Sequence, residues 1–550
     1  MKGKNIVPAI VFLVSVLLCA AASVQAAPAF YTDDPVQTEP NSQNAAAVQP
    51  WEIDLVYDLV ENMFTRPGDK AANARARDIN TIDEVPDSEW FVNRAGSRPM
   101  TVEDVVKGPD TTGGPAAGPW TVISAKNDGV TPGFTIRDTA QNVWFIKFDP
   151  PGYRCMATGT EVVVSKLMWA LGYHVPEYHI ARLERKNLTI EEGTKVKTPS
   201  GKKRAMKVSD IDGMLRKVQR DPDGSYRVIA SIQLPGKPLG GFRFYGTRPD
   251  DPNDVIPHEH RRSLRGYGVF AAWFNHVDSK AINSLDTLIT ENGKSYVRHH
   301  LLDFGSTLGS GALYPREAWE GYEYLYEGGG PIGKDMVTAG LRVEPWRTLP
   351  MYKSRSIGRL TLDNTKWDPD GWVPRVPNAA FLRARDDDRF WAARKAMAIT
   401  DDMIRAVVKA GKFGDTASED FLARALIDRR NAIGRKYLTA INPVIDPALD
   451  PGGTLTFGNA AVNAGFARAP DGYQVNWYTF DNANGQSQSL GGGVSGSNSV
   501  KTPAALPSDA GAFVKIEISA THKDYPSWKA PVTVYFKKTD AGWKLVGLER

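Results

Sequence analysis

The strongest constraint on this chain is an ordered series of polar residues between positions 147 and 305. Lys147 stands near the end of the β-like run Val143-Trp144-Phe145-Ile146-Lys147-Phe148, and Glu161 follows fourteen residues later at the start of a helix-like stretch. Next come His276-Val277-Asp278-Ser279-Lys280-Ala281-Ile282-Asn283 and, after a hairpin-like stretch, Asp303-Phe304-Gly305. A lone strand lysine is ordinarily a solvated edge residue, and Asp-Phe-Gly is common by chance. Their joint order gives the set its weight, because a fold that uses all of them must bring a strand, a helix and two loops to one cleft.

The surrounding pattern predicts the elements that would carry these residues. Trp120 to Ser124, Phe134 to Ile136 and Val143 to Phe148 are rich in β-branched and aromatic residues and read as strands. Pro150-Pro151 stop the third, and Val163, Val164, Leu167, Met168 and Leu171 mark an amphipathic helix over 160–171 that Gly172 closes. An extended pattern resumes over Tyr178 to Leu183. A helix is expected over Arg262 to Asn275, then a hairpin of Leu285 to Thr290 and Ser295 to Leu302 around Asn292-Gly293. Helical periodicity returns over Arg389 to Lys412, with Thr400 as an N-cap, and over Ser418 to Ile441, ending at Asn442-Pro443. The last hundred or so residues change texture: Gly, Ser and Asn loops alternate with runs such as Val532 to Phe536, which predicts a small all-β unit.

Phosphoryl transfer from ATP needs a cation on the phosphates, a carboxylate to hold it, two metal ligands and a carboxylate aimed at the acceptor hydroxyl. The series supplies each in order, and here the chain resembles protein kinases and their atypical relatives, including HipA-like and phosphatidylinositol kinases. The passage Ala170-Leu171-Gly172-Tyr173-His174-Val175-Pro176-Glu177 resembles the HipA-like branch more than typical protein kinases. The resemblance implies Lys147 on the phosphates, Glu161 as its partner, Asp278 as catalytic base, Lys280 near the transferred group, and Asn283 and Asp303 on Mg²⁺. It departs from the typical pattern in three places. The glycine-rich loop is replaced by Asn127 to Gly133, whose Gly129 and Gly133 either admit phosphates to the backbone or form a plain turn; Val277 replaces the usual Arg; and no Ala-Pro-Glu follows Gly305. Peptide recognition and activation-loop phosphorylation of the protein-kinase sort are therefore not expected.

The expected fold class is α+β: a bilobal protein-kinase-like core with an N-terminal extension and a C-terminal all-β sandwich-like domain. Lys2 and Lys4, the apolar run Ile6 to Ala22 and Val24-Gln25-Ala26 read as a signal peptide over 1–26, and Pro8 and the small neutral flank argue against a retained membrane anchor. Residues 27–50 read as a flexible leader, 51–119 as the extension, 120–445 as the kinase-like domain and 446–550 as the β domain. Removing 1–26 takes two lysines and no acids, so the net charge falls from +4 to +2, a balance that predicts no nucleic-acid partner. Cys155 is then the remaining cysteine, so no intramolecular disulfide is expected and a buried thiol is the plainer reading. His258-Glu259-His260 and His299-His300 lack helical zinc spacing and read as surface or satisfied histidines; Lys202-Lys203-Arg204 and Asp386-Asp387-Asp388 read as solvated or salt-bridged. Two functions stay open: an exported phosphotransferase using Mg-ATP on a protein, glycan or lipid acceptor, or an exported pseudokinase or binding module. Nucleotidyl transfer on the same fold is a further variant of the first.

Overall fold

In the computed structural model, the described residues are 27–71, 73–125, 132–198, 202–326 and 344–550. The signal-like segment 1–26 lies outside them, as does Gly129 in the expected loop. The described residues form a mixed α/β structure with five sheets. No described helix is long and apolar enough to cross a membrane.

The sheet that positions the site has six strands in the order β4-β8-β3-β2-β1-β5. These are β1 (Trp120–Ala125), β2 (Gly133–Arg137), β3 (Val143–Phe148), β4 (Tyr178–Leu183), β5 (Leu188–Ile190) and β8 (Tyr226–Ile232). All neighbours run antiparallel except β1 and β5. The sequence reading missed β8, which sits between β3 and β4. Its run Tyr-Arg-Val-Ile-Ala-Ser-Ile carries the β-branched signal but is buried on both faces, so it lacks alternation. Between β5 and β8 lie a two-stranded hairpin, β6 (Lys195–Lys197) and β7 (Lys203–Ala205), and the helix Val208–Leu215.

The helix after β3 spans Met156–Leu171, starting four residues earlier than the apolar pattern predicts. Asp149 explains the early start. Its carboxylate accepts from the backbone N–H groups of Cys155, Ala157 and Thr158, each at 2.9 Å, and from the Thr158 hydroxyl at 2.8 Å. These are donors that a first helical turn otherwise leaves unpaired. The helix is also not amphipathic in the expected sense, for Thr158, Thr160, Glu161, Ser165 and Lys166 are buried along with the apolar face. Lys166 finds Asp110, with Nζ to Oδ2 at 2.5 Å, and Lys107 O at 2.9 Å.

A three-stranded sheet follows, with β9 (Lys237–Gly240), β10 (Ser284–Glu291) and β11 (Lys294–Leu301) in the order β11-β10-β9. Asn292 and Gly293 close the β10–β11 hairpin with φ of 52° and 77°, as a two-residue turn of this kind requires. The helix Arg262–Trp273 precedes it. The helical periodicity expected over 389–412, with Thr400 as an N-cap, is two helices, Asp386–Met397 and Asp401–Ala410, and Thr400 caps the second by accepting from Met403 N at 3.3 Å. The last long helix is Thr416–Tyr437. Asp387 and Asp388, expected in a solvated or salt-bridged face, are buried: Arg262 donates to both, at 2.8 and 3.0 Å, and Arg265 to Asp388 at 3.1 Å.

Beyond residue 443 lie two antiparallel sheets. One holds β12 (Val444–Leu449), β13 (Thr454–Asn459) and β16 (Ser499–Lys501); the other holds β14 (Gly472–Phe480), β15 (Ser487–Ser495), β17 (Phe513–Thr521), β18 (Val532–Thr539) and β19 (Gly542–Glu549). Val475, Trp477, Ile516 and Val534 belong to the same apolar cluster as Trp391 and Leu426 of the helices. Trp528 Nε1 donates to Thr439 O at 3.0 Å and Asn442 Nδ2 to Ile518 O at 2.8 Å, fastening the segment that leaves the helix Thr416–Tyr437 to this part of the chain. Residues 27–50, read from composition as a flexible leader, lie against this body. Phe30 packs on Phe480, Phe513 and Tyr535, and Ala45 and Val48 pack with Leu239 and Val297. A few apolar anchors suffice to hold a segment whose overall composition is polar.

Candidate functional site

Strand alternation and helix phase bring three of the ordered residues together. On β3, Lys147 lies opposite Gly133 of β2 and Ile229 of β8, so Gly133 lies beside the lysine and adds no side chain. The Lys147 Nζ lies 2.9 Å from Asp303 Oδ1 and 3.5 Å from Glu161 Oε1. Glu161 is buried in the second turn of its helix, and its Oε1 accepts the Phe304 N–H at 3.0 Å. Burial raises the Glu161 carboxyl, Lys147 opposes this, and the nearby Asp303 adds to it. Burial works against the Lys147 ammonium, but Asp303 and Glu161 outweigh it and hold the group protonated well above its usual range.

Asp303 takes left-handed backbone angles, φ 63° and ψ 55°, an uncommon choice for a residue with a side chain and one that clusters at functional sites. Its N–H donates to the Tyr178 hydroxyl at 3.3 Å, and that hydroxyl also bonds Glu161. Tyr178 is a site residue that the sequence reading treated only as the start of a strand. Gly305 meets a separate demand. A Cβ there would lie 2.5 Å from Glu161 Oε2, so a side chain at this position would force the Glu161 carboxylate to move.

The second loop lies beside this cluster. Lys280 Nζ is 2.9 Å from Asp278 Oδ1, and Asn283 Nδ2 donates to Asp278 O at 2.7 Å and to Oδ2 at 3.2 Å. The Leu302 N–H donates to Asn283 O at 3.1 Å, which couples this loop to the residue before Asp303. His276 is buried between Tyr267, whose hydroxyl meets Nδ1 at 2.6 Å, and Phe304, whose ring lies 5.8 Å away edge-on. Burial lowers the His276 pKa to about 4 against the pull of Asp278 and Asp303, so the ring is neutral near pH 7. Burial would raise Asp278, but Lys280 and then Arg316 prevail and bring it down to about 2. Asp303 is thus ion-paired with Lys147, and the Leu302–Asn283 backbone hydrogen bond links its loop to that of Asp278.

The donor set suits a hard divalent cation. Asp303 offers a carboxylate and Asn283, whose amide nitrogen is spent on Asp278, keeps its amide oxygen; both are the oxygen type that Mg²⁺ takes. Lys147 already bridges to Asp303, so a phosphate-bound cation at Asp303 would meet an ammonium placed for the phosphates.

The other candidates resolve differently. His258 bonds Asp254 at 2.7 Å and Arg243 O, and His260 bonds Asp69 and Arg265, each at 2.9 Å, so both are buried and satisfied where surface or satisfied histidines were expected. His299 stacks on Trp90 with ring centroids 3.5 Å apart, and His300 bonds Thr287. Cys155 is buried and its thiol pKa is raised by that burial. Asp110, Glu177 and His179 also gather three potential ligand atoms within 4.8 Å. There, however, Glu177 accepts from the backbone and hydroxyls of Thr111 and Thr112, and Lys166 occupies Asp110.

No protein-family model matches this chain, and no curated protein matches it. Among solved structures, one described as a Helicobacter pylori proinflammatory kinase CtkA is similar at 12% identity. The alignment covers 56% of this chain and 94% of that one, with a TM-score of 0.29. A likeness of that degree fixes neither fold nor activity.

Proposed function

We propose that this chain is an exported, kinase-like phosphotransferase that uses Mg-ATP. The observation that carries the reading is the meeting of Lys147, Glu161 and Asp303 within 3.5 Å, with the Asp278 loop bonded to the same hairpin end. Two carboxylates, Glu161 and Asp303, share one lysine, and such a gathering of ionisable groups argues for a ligand role. Export follows from Lys2, Lys4, the apolar run Ile6 to Ala22 and the small residues at 24–26. The passage from Ala170 to Glu177 inclines the reading to the HipA-like branch.

Mg-ATP, when bound, supplies the transferable phosphoryl group and the cation that neutralises it. Lys147 would bind phosphate oxygens, and Glu161, itself held by the Phe304 N–H, would keep the ammonium in place. Asp303 and Asn283 would hold the metal. Asp278, with a pKa near 2, is a weak base at equilibrium. It would therefore orient the acceptor hydroxyl and take its proton only as that oxygen becomes bonded to phosphorus. Lys280, 2.9 Å from Asp278, would sit by the group in transit.

Incubation of the purified protein with γ-labelled ATP and Mg²⁺, reading label released to water or retained on protein, tests the proposal. Turnover that is lost in Lys147→Met supports it. Nucleotide binding without any group transfer would assign the chain to the pseudokinase or binding-module class.

A further inference from the structure

Resting on that reading, we propose that the cavity beside Asp278 is an acceptor subsite for a hydroxyl compound bearing a phosphate or carboxylate, recognised by Arg316 and Arg375. The cavity measures about 270 Å³, and its walls include Leu313, Tyr314, Arg316, Trp319, Glu320 and Arg375. It adjoins the catalytic loop through both arginines. The Arg316 Nη2 lies 4.0 Å from Asp278 Oδ2, and the Arg375 backbone N–H donates to Val277 O at 2.8 Å.

The charges there are unequal. Glu320 Oε1 lies 3.2 Å from Arg316 Nη1 and 3.2 Å from Arg375 Nε, so one carboxylate oxygen is divided between two guanidinium groups. Its other oxygen accepts the Glu317 N–H at 2.9 Å. The Nε of Arg316 is buried and has no hydrogen-bond partner among the described residues. Lys280 and Asp278 balance each other at 2.9 Å, and Glu317 is paired with Arg359 at 3.2 Å, leaving, among the described residues, two arginines against Glu320. A second anion would relieve that excess, and the planar guanidinium fork suits phosphate or carboxylate oxygens.

Size and position narrow the ligand. A volume of about 270 Å³ lies just below the usual range of small-molecule sites and suits a headgroup. Arg316 touches both the cavity and Asp278, so an anion on Arg316 places a hydroxyl of the same molecule against the Asp278 carboxylate. In the transfer, the hydroxyl oxygen forms the new O–P bond as the bond from γ-phosphorus to its bridging oxygen breaks. The electron pair leaves with ADP, and the hydroxyl proton passes to Asp278. The anionic group is not consumed.

Binding without nucleotide tests this independently of catalysis. Glycerol 3-phosphate is titrated calorimetrically into the full chain with glycerol as the uncharged control, and sedimentation with phosphatidylcholine vesicles, with and without phosphatidylglycerol, supplies the lipid arm. Saturable binding of either anionic probe is expected, weakened roughly tenfold in Arg316→Gln and in Arg375→Gln by loss of a charged hydrogen bond. Glu320→Gln removes the competing carboxylate and is expected to tighten binding, a direction that misfolding cannot mimic. Binding of glycerol 3-phosphate alone points to a free acceptor, and sedimentation only with phosphatidylglycerol points to a lipid headgroup. Equal behaviour of charged and uncharged probes, or affinities unchanged across the three variants, overturns the proposal. Mg-ATP affinity measured on the same samples separates this failure from a failure of the nucleotide site.

Discussion

Gly305 illustrates what a single residue does here. Its φ lies outside the left-handed region, so the requirement for glycine comes from Glu161, whose Oε2 would sit 2.5 Å from any Cβ. Gly305→Ala should push Glu161 off the Phe304 N–H and release Lys147, weakening Mg-ATP binding by roughly tenfold or more, the worth of a hydrogen bond to a charged group; titration calorimetry reads the change. Asp278 supplies a pH prediction. Lys280 and Arg316 overcome burial and hold its pKa near 2, so the carboxylate is charged at every pH above that, and its charge contributes stability that is lost as pH falls from about 4 towards 2. Removing the first of those cations in Lys280→Met should move the acid limb of the pH–rate profile upward. The ordered residues were legible through their joint order along the chain, not through any one of them alone. Tyr178, Arg316 and Arg375 were not, since nothing local in sequence distinguishes a strand-opening tyrosine or a loop arginine from its solvated counterparts.

At the scale of elements, the helix Met156–Leu171 holds the site by being fixed at both ends. Asp149 caps its start, and at its end Gly172 has φ 122° with a notional Cβ only 2.2 Å from the Phe91 ring. Gly172→Ala therefore meets both backbone strain and a packed aromatic ring and should destabilise the protein by about 1–3 kcal/mol, measurable by denaturant unfolding. Strands and helices with clear period and punctuation were legible: Tyr178–Leu183 has the expected bounds, and Asn292-Gly293 turns the hairpin as expected. Elements set by distant partners were not. β8 is buried on both faces, and the helix start at Met156 depends on Asp149 across the Pro150-Pro151 break. The burial of Asp387 and Asp388 depends on Arg262, more than a hundred residues away.

For the whole molecule, one polar junction ties remote parts of the chain. Asp83 meets Arg75 at 3.0 Å, Arg262 at 2.8 Å and Arg550 at 3.2 Å, while Arg262 also holds Asp387 and Asp388. Arg262→Met would take one partner from each of three buried carboxylates, which keep Arg75 and Arg550, Arg385 and Arg265, and should cost about 1–3 kcal/mol, seen as a lower thermal midpoint. Acid should loosen the fold as well. Burial lowers His174 to about 3 and His276 to about 4, and His300 well below its usual value, so the unfolded chain binds protons there first as pH falls below about 6.5. Each such histidine removes about 1.4 kcal/mol per pH unit until its folded pKa is reached, while His258, raised by Asp254 against burial, acts in the opposite sense. Thermal unfolding between pH 7 and 5 should show the net loss. The most direct measurement of the central claim is calorimetric titration of Mg-ATP into the wild type, Asp303→Asn and Asp278→Asn, paired with single-turnover transfer on the same samples. Asp303→Asn is expected to weaken metal-dependent binding and turnover together, whereas Asp278→Asn keeps binding and loses turnover by roughly 10²–10⁴-fold. A wild-type protein that binds no nucleotide with Mg²⁺ or any other divalent metal would contradict it.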